Sequence, residues 1–326
     1  MRILLTGGMG YIGSHIAVEL INEGHSVHIL DNLCNSQIDA QIKIESITGV
    51  RPVFFYGDVT NLNDYPTNTY DALIHCAGYK AVGESSLKPD LYYENNVIGT
   101  LTALMYCKQQ NINRFIFSSS ATVYGTQDIN PISENASLNP ENPYARTKLM
   151  GEQIIQDFCH ANPDFNATVL RYFNPIGAHK SGKIFENPNG IPNNLMPLLC
   201  QIANKQRDEL TIFGSDYDTI DGTCVRDYIH IEDIALGHIA ALYSYRGFNV
   251  YNLGTGFGTS VKQLIDTFQQ INNVIIPTKL GDRRYGDSPI LCSDPSLALM
   301  ELDWKAKYNI EDMCRDAWNA IKLNRK

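Results

Sequence analysis

The sequence predicts an α/β protein, a doubly wound parallel sheet joined to a smaller lobe of mixed α/β structure. Short apolar, β-branched runs alternate with longer amphipathic stretches through the first half of the chain. Each run ends in small or polar residues of the kinds that meet ligands. Past residue 174 this rhythm gives way to clusters of Gly, Pro and Asn and to shorter helical segments.

The runs are Ile3 to Leu5, Val27 to Leu30, Val53 to Tyr56, Ala72 to Ile74, Phe115 to Phe117 and Thr168 to Leu170. They are continuous rather than alternating. Continuous apolar runs mark strands buried on both faces, and helices between them make the sheet parallel. They lead into a glycine loop, Asp31, Gly57-Asp58, His75-Cys76-Ala77-Gly78, Ser118-Ser119-Ser120 and Arg171-Tyr172-Phe173-Asn174. Ligands of open α/β sheets bind outside the carboxyl ends of the strands. The first lobe is placed at residues 1–174 and the second at 175–326. The change is marked by Asn174-Pro175-Ile176-Gly177 at the boundary and by the loop 187–194. Asp227-Tyr228-Ile229-His230 and Val250-Tyr251-Asn252-Leu253-Gly254 read as strands returning to the first lobe, which makes the boundary interleaved.

A chain of 326 residues suits two lobes and a large core. The formal charge of −9, with no Lys/Arg stripe, argues against nucleic acid as a partner. No stretch is apolar for long enough to cross a bilayer, so no membrane partner is expected. The first residues run straight into the glycine loop without a secretory pattern, which predicts a cytoplasmic address. The eight cysteines are scattered, with no C-x-x-C pair and no zinc spacing. They read as reduced, mostly buried thiols, and no metal is expected.

Thr6-Gly7-Gly8-Met9-Gly10-Tyr11-Ile12-Gly13 lies between a strand and a helix. A glycine pattern alone is weak. Here glycine allows a tight turn and close approach to a pyrophosphate, and the helix from Tyr11 offers unpaired N–H groups to that anion. Asp31 ends the next strand, where a carboxylate receives ribose hydroxyls and repels a 2′-phosphate. That favours NAD over NADP. Asp58 is placed to receive the adenine amino group.

Tyr144-Ala145-Arg146-Thr147-Lys148 is a Y-x-x-x-K following Asn142-Pro143, a helix start with Pro in the first turn. Positions i and i+4 share a helix face, so phenol and ammonium point into one cleft. The ammonium and a positive nicotinamide ring are expected to lower the Tyr144 phenol, making it a base. Alone, Y-x-x-x-K is common by chance. The glycine loop and the serine cluster make chance a poor account. Ser120 is the serine assigned to chemistry, relaying the proton of a reacting hydroxyl.

With these motifs in place the chain resembles the UDP-glucose 4-epimerase family of extended short-chain dehydrogenase/reductases, whose cofactor lobe is a Rossmann fold. Asp31-Asn32-Leu33-Cys34-Asn35-Ser36, Lys80-Ala81-Val82-Gly83-Glu84-Ser85 and Ile191-Pro192-Asn193-Asn194-Leu195-Met196-Pro197 are the stretches most particular to that family. Further matches are Ser118 to Gly125, Pro143 to Lys148, Arg171 to Pro175 and Val225 to His230. The resemblance implies an NAD-dependent isomerase that interconverts UDP-galactose and UDP-glucose through a transient 4-ketose. It also implies a homodimer.

By position, it implies NAD contacts from Gly7, Gly10, Tyr11, Ile12, Gly13, Asp31, Asn32, Leu33, Cys34, Asn35, Ser36, Asp58 and Val59. Cys76, Ala77, Gly78, Tyr79, Lys80, Asn95, Ser120, Tyr144, Lys148 and Phe173 complete that set. Tyr144, Lys148 and Ser120 are the catalytic residues. The substrate set is Lys80, Ser120, Tyr144, Asn174, Asn194, Leu195, Thr211, Ile212, Phe213, Arg226, Arg284, Asp287 and Leu291. Arg226 and Arg284 would hold the diphosphate, and so let an acidic protein bind an anion.

Leu291 departs from the family's frequent Tyr or small residue beside the sugar, which leaves N-acetylated UDP-sugars open. The alternatives are a UDP-N-acetylglucosamine 4-epimerase, a nucleotide-sugar 4,6-dehydratase and a catalytically silent NAD-binding sensor or scaffold. The dehydratase normally has Asp-Glu beside the catalytic Ser/Thr, where this chain has Ala121-Thr122.

Overall fold

The computed structural model describes residues 1–187, 192, 194–244, 247–284 and 287–324. Its centre is a seven-stranded sheet in the order β11-β6-β5-β4-β1-β2-β3, every pair parallel. These strands are β1 (Arg2–Thr6), β2 (Ser26–Asp31), β3 (Val53–Tyr56), β4 (Ala72–His75), β5 (Arg114–Ser120), β6 (Asn166–Tyr172) and β11 (Phe248–Leu253). The helices between them are α1 (Tyr11–Asn22), α2 (Asp39–Thr48), α3 (Val82–Leu87), α4 (Pro89–Tyr92), α5 (Gly99–Gln110) and α6 (Pro143–Ala161). A π-helical stretch, Tyr93–Ile98, joins α4 to α5.

Side chains alternate across the sheet. Ile3 and Leu5 pack with Ile16, Leu20 and Ile234 on one face. Leu4 packs with Leu73, Phe115, Leu104 and Ile155 on the other. Both faces are therefore covered, the condition that continuous apolar runs require. α6 starts where Asn142 Oδ1 accepts from Ala145 N at 2.9 Å, with Pro143 in the first turn.

Short pairings make up the rest: β7 (Asn174–Ile176) with β10 (Tyr228–His230), β8 (Leu210–Phe213) with β13 (Thr278–Gly281), and β9 (Val225–Arg226) between β12 (Thr259–Ser260) and β14 (Ile290–Leu291). Around them lie α7 (Leu195–Ala203), α8 (Ile231–Ala241), α9 (Val261–Asn272), α10 (Ser296–Leu302) and α11 (Ile310–Leu323). Met196, Leu199, Leu264, Phe268 and Trp318 form a separate core there.

β11 lies in the large sheet beside β6, but β10 does not enter it. It pairs instead with β7 and ends after three residues, where His230 caps α8 by accepting from Glu232 N. Among the described residues no helix is long and apolar enough to cross a membrane.

Candidate active site

A cleft opens at the carboxyl edge of β1, β2 and β4. Gly7, Gly10, Tyr11, Ile12, Gly13, Asp31, Asn32, Cys34, Asn35, Ser36, Val59, Cys76, Ala77, Gly78, Tyr79, Lys80 and Asn95 line it. Of the residues expected at NAD, Leu33, Asp58, Ser120, Tyr144, Lys148 and Phe173 lie outside that lining.

The glycine loop is shaped for an anion. Gly7 has φ +70, and a Cβ there would sit 2.6 Å from Ala77 N. A Cβ on Gly13 would meet Gly7 O at 2.2 Å. No side chain caps the start of α1, so its first amides remain free of a side-chain partner. A dinucleotide's pyrophosphate fits this cradle.

Asp31 is more occupied than the sequence suggests. Its carboxylate accepts from Met9 N at 3.0 Å, Leu33 N at 2.9 Å and Ser36 Oγ at 2.9 Å. Three of roughly four acceptor positions are thus engaged. Asp58 accepts from Asn32 Nδ2, Thr60 N and Thr60 Oγ1. Burial acts to raise its pKa, but the bonds from Thr60 and Asn32 outweigh it and hold the carboxyl below its ordinary value. Asp58 thus anchors the wall between Gly57 and Val59, both of which line the cleft.

Ser120 ends β5 and caps the short turn Ala121–Tyr124, accepting from Thr122 N and Thr122 Oγ1. Tyr144, in the first turn of α6, is buried beside Ser120, whose side chain acts to lower its phenol. Lys148 follows on the same face, donates to the Ser118 carbonyl at 2.7 Å, and lies 4.9 Å from the Phe117 ring centre. A Cβ on Gly78 would lie 3.6 Å from Lys148 Nζ, which places this ammonium behind the cleft wall.

The expected lowering of the Tyr144 phenol is not found in the protein alone. Burial raises it above its ordinary value, and the Ser120 side chain offsets that only in part. Burial also pulls Lys148 down to about 8, and the Glu152 carboxylate acts against it by favouring its charge. Cys76, pushed up to about 11 by burial, is a thiol.

The residues expected at the uridine nucleotide sit in the second half. Thr211, Ile212 and Phe213 are in β8, and the Arg284 guanidinium lies 3.9 Å from the Phe213 ring centre. Arg226 donates to the Val225 and Ser288 carbonyls and lies 3.6 Å from Asp287. Asn174 N donates to the Asp227 carbonyl. Leu291, in β14, packs on the cluster of Ala121, Val123, Tyr124 and Phe173. Asn194 precedes Leu195 at the start of α7. Ile191 and Asn193 of the family stretch, and Tyr285-Gly286 beside Arg284, lie outside the described residues.

Several residues at the site were not picked out from the sequence. Glu186 Oε1 accepts from both Lys80 Nζ and Asn194 Nδ2, each at 2.7 Å. No local signal marks it. Asn96, in the π-helical stretch, ties Tyr79 of the cleft wall to Thr147 of α6. Glu152, buried behind the serines, was legible only as a further position on the face of Tyr144 and Lys148. Among the described residues no group of three His, Cys, Asp or Glu side chains is arranged to hold a metal ion.

Residues 3–254 match the NAD dependent epimerase/dehydratase family. The chain is 49% identical to a UDP-glucose 4-epimerase of Haemophilus influenzae, over 100% of this chain and 99% of the relative. Its structure superposes on a UDP-glucose-4-epimerase of Stenotrophomonas maltophila, solved with bound NAD and formylated UDP-arabinopyranose. The TM-score is 0.97 at 44% identity, covering 99% of this chain and 98% of that one. A UDP-glucose 4-epimerase of Bifidobacterium longum, in complex with NAD+ and UDP, gives a TM-score of 0.96 at 43% identity, covering 99% of each chain. A glycine loop against Asp31, a buried Tyr144 on Ser120 and full-length similarity agree: the chain belongs to the NAD-dependent epimerase/dehydratase family.

Proposed function

We propose that the chain is a UDP-glucose 4-epimerase, an isomerase that interconverts UDP-galactose and UDP-glucose through a transient 4-ketose with NAD held in place. The observation that carries this reading is the Tyr144–Ser120 contact. It sets a buried phenol at the carboxyl end of β5, one helical turn from an ammonium and beside the cofactor cleft.

NAD, when bound, supplies the acceptor and donor of hydride. The chain's residues manage the proton and the position. Tyr144 takes the proton of the sugar 4-hydroxyl, directly or across Ser120, and later returns it. Lys148 keeps positive charge near the phenol. Asn194, Leu195, Thr211 to Phe213, Arg226 and Arg284 hold the UDP part, with Asp287 orienting Arg226. A clamped nucleotide and a free sugar allow the ketose to turn its other face to the ring.

Lys80 and Asn174 reach the same substrate. The uncharged neighbourhood of Ser120, namely Ala121 and Thr122, gives no acid to expel water, which disfavours the dehydratase. A sensor or scaffold would have no use for the intact Tyr144–Ser120 contact.

Two further parts of the reading are a homodimer and a cytoplasmic address. Ile98, Leu101 and Met105 form one exposed apolar stripe, 46%, 45% and 50% accessible, with Met150 of α6 also exposed. Such a stripe suits a self-complementary helical interface. Cys34 is exposed, Cys76 half-buried and the other six cysteines buried, all as free thiols, which suits a reducing compartment.

The deciding experiment is the spectrum of purified protein mixed with UDP-galactose. Reduced nicotinamide is expected to appear without added NAD, and UDP-glucose to accumulate. A 4-keto-6-deoxy sugar as product would overturn the reading. Leu291 packs against Phe173 and Tyr124, and at the sugar end, where the resemblance sets it, a leucine leaves less room than a small residue. Turnover of UDP-galactose is therefore expected to exceed that of UDP-N-acetylgalactosamine in parallel assays. The reverse order would reassign the substrate.

A further inference from the structure

α6 presents Tyr144, Lys148 and Glu152 in line, each one turn beyond the last. β5 meets them with three consecutive serines. Tyr144 lies beside Ser120, Lys148 donates to the Ser118 carbonyl, and Ser119 Oγ donates to Glu152. The helix lies close to the strand because residue 151 is glycine: a Cβ there would come within 2.8 Å of the Phe117 ring.

Glu152 is itself held rigidly. Its side chain and that of Arg171 are each 4% exposed. Arg171 grips it with two bonds, Nη2 to Oε2 at 2.6 Å and Nε to Oε1 at 3.1 Å. Arg171 Nη1 also donates to the Tyr124 hydroxyl, which donates to Asn252 Oδ1 of β11 at 2.6 Å. The carboxylate thus links α6 to β5, β6 and β11. A buried pair of this kind adds little net stability over apolar residues of the same shape, and its best-attested use is to fix register.

We propose that Glu152 is a positioning residue of the reaction: held by Arg171 and Ser119, it fixes the register of α6 on β5 and supplies the negative charge that keeps Lys148 an ammonium. The proposal rests on the assignment of Tyr144 and Lys148 to the reaction. The titratable groups acting with Lys148 are His75 and Cys76 from the end of β4 and Glu152 on its own helix, with Tyr144 one turn before it and Tyr172 bonded to the Ser118 side chain. Glu152 is the carboxylate among them, and its charge favours the ammonium.

The test is the pH profile of kcat for UDP-galactose in the NAD-bound protein. Glu152→Gln is expected to lower kcat by about 10- to 100-fold, the scale of a small misplacement of reacting groups. It should also move the alkaline limb to lower pH while KM changes little. Glu152→Asp keeps the charge and is expected to keep the wild-type limb. Should Glu152→Gln not fold, the double variant Glu152→Gln/Arg171→Met removes both buried charges, and its limb should also lie below that of the wild type. If the limbs of Glu152→Gln and the double variant coincide with the wild type, Glu152 is structural only. Failure of the underlying assignment looks different: Lys148→Met would then keep both wild-type turnover and the wild-type limb.

Discussion

Tyr144→Phe is expected to lower kcat for UDP-galactose by about 10²–10⁴-fold, the usual worth of a positioned acid or base. The ring is 9% exposed and a phenyl group fills the same space, so the fold and the bound NAD should persist. The structural loss is a single hydroxyl beside Ser120, on the order of 1 kcal/mol. KM should change little, because the uridine contacts proposed above lie on other elements. Burial holds the phenol above its ordinary value in the protein alone. A proton-accepting Tyr144 therefore requires more positive charge than Lys148 alone gives it. A coupled assay of UDP-glucose formation checks the rate, and a variant that turns over like wild type would remove Tyr144 from the chemistry.

Gly13→Ala is expected to yield protein with little or no NAD after purification. The added Cβ would stand 2.2 Å from Gly7 O and 2.7 Å from Gly8 Cα, and both obstacles are backbone. The loop must open to admit it, and the cradle at the start of α1 is lost. Overpacking of this kind costs about 1–3 kcal/mol, occasionally more. The loss should therefore appear first as cofactor release and then as a lower melting temperature. Extracting the protein and measuring NAD per chain reads the first effect. Full occupancy in the variant would mean that the loop tolerates a side chain that its geometry excludes.

The features that were legible in the sequence are local ones. The apolar runs mark strands because both faces of each are covered, as Leu4 and its neighbours Ile3 and Leu5 show. The start of α6 was visible because Asn142 and Pro143 are adjacent to what they cap. Gly7, Gly13 and Asp31 were visible because loop, helix and strand end follow one another closely. What stayed hidden depends on pairing between distant segments. Arg171 with Glu152, and Glu186 with Lys80 and Asn194, are ordinary charged residues until the fold brings them together. The π-helical stretch that aims Asn96 at Tyr79 and Thr147 carries no periodicity of its own. The burial that raises the Tyr144 phenol in the protein alone was hidden for a related reason: burial is a property of the assembled site, not of the Y-x-x-x-K spacing.

The seventh strand of the central sheet comes from Phe248–Leu253, far along the chain from the other six. It runs beside β6 over its whole length, from the pair Phe248–Ala167 to the pair Leu253–Tyr172. A fragment that stops near residue 174 would leave the edge of β6 bare, an open template for pairing with other chains. The cofactor half is thus not a portable module. During synthesis the ribosome must deliver about eighty further residues before that edge is closed, so the late segment acts as a fastener for the early one.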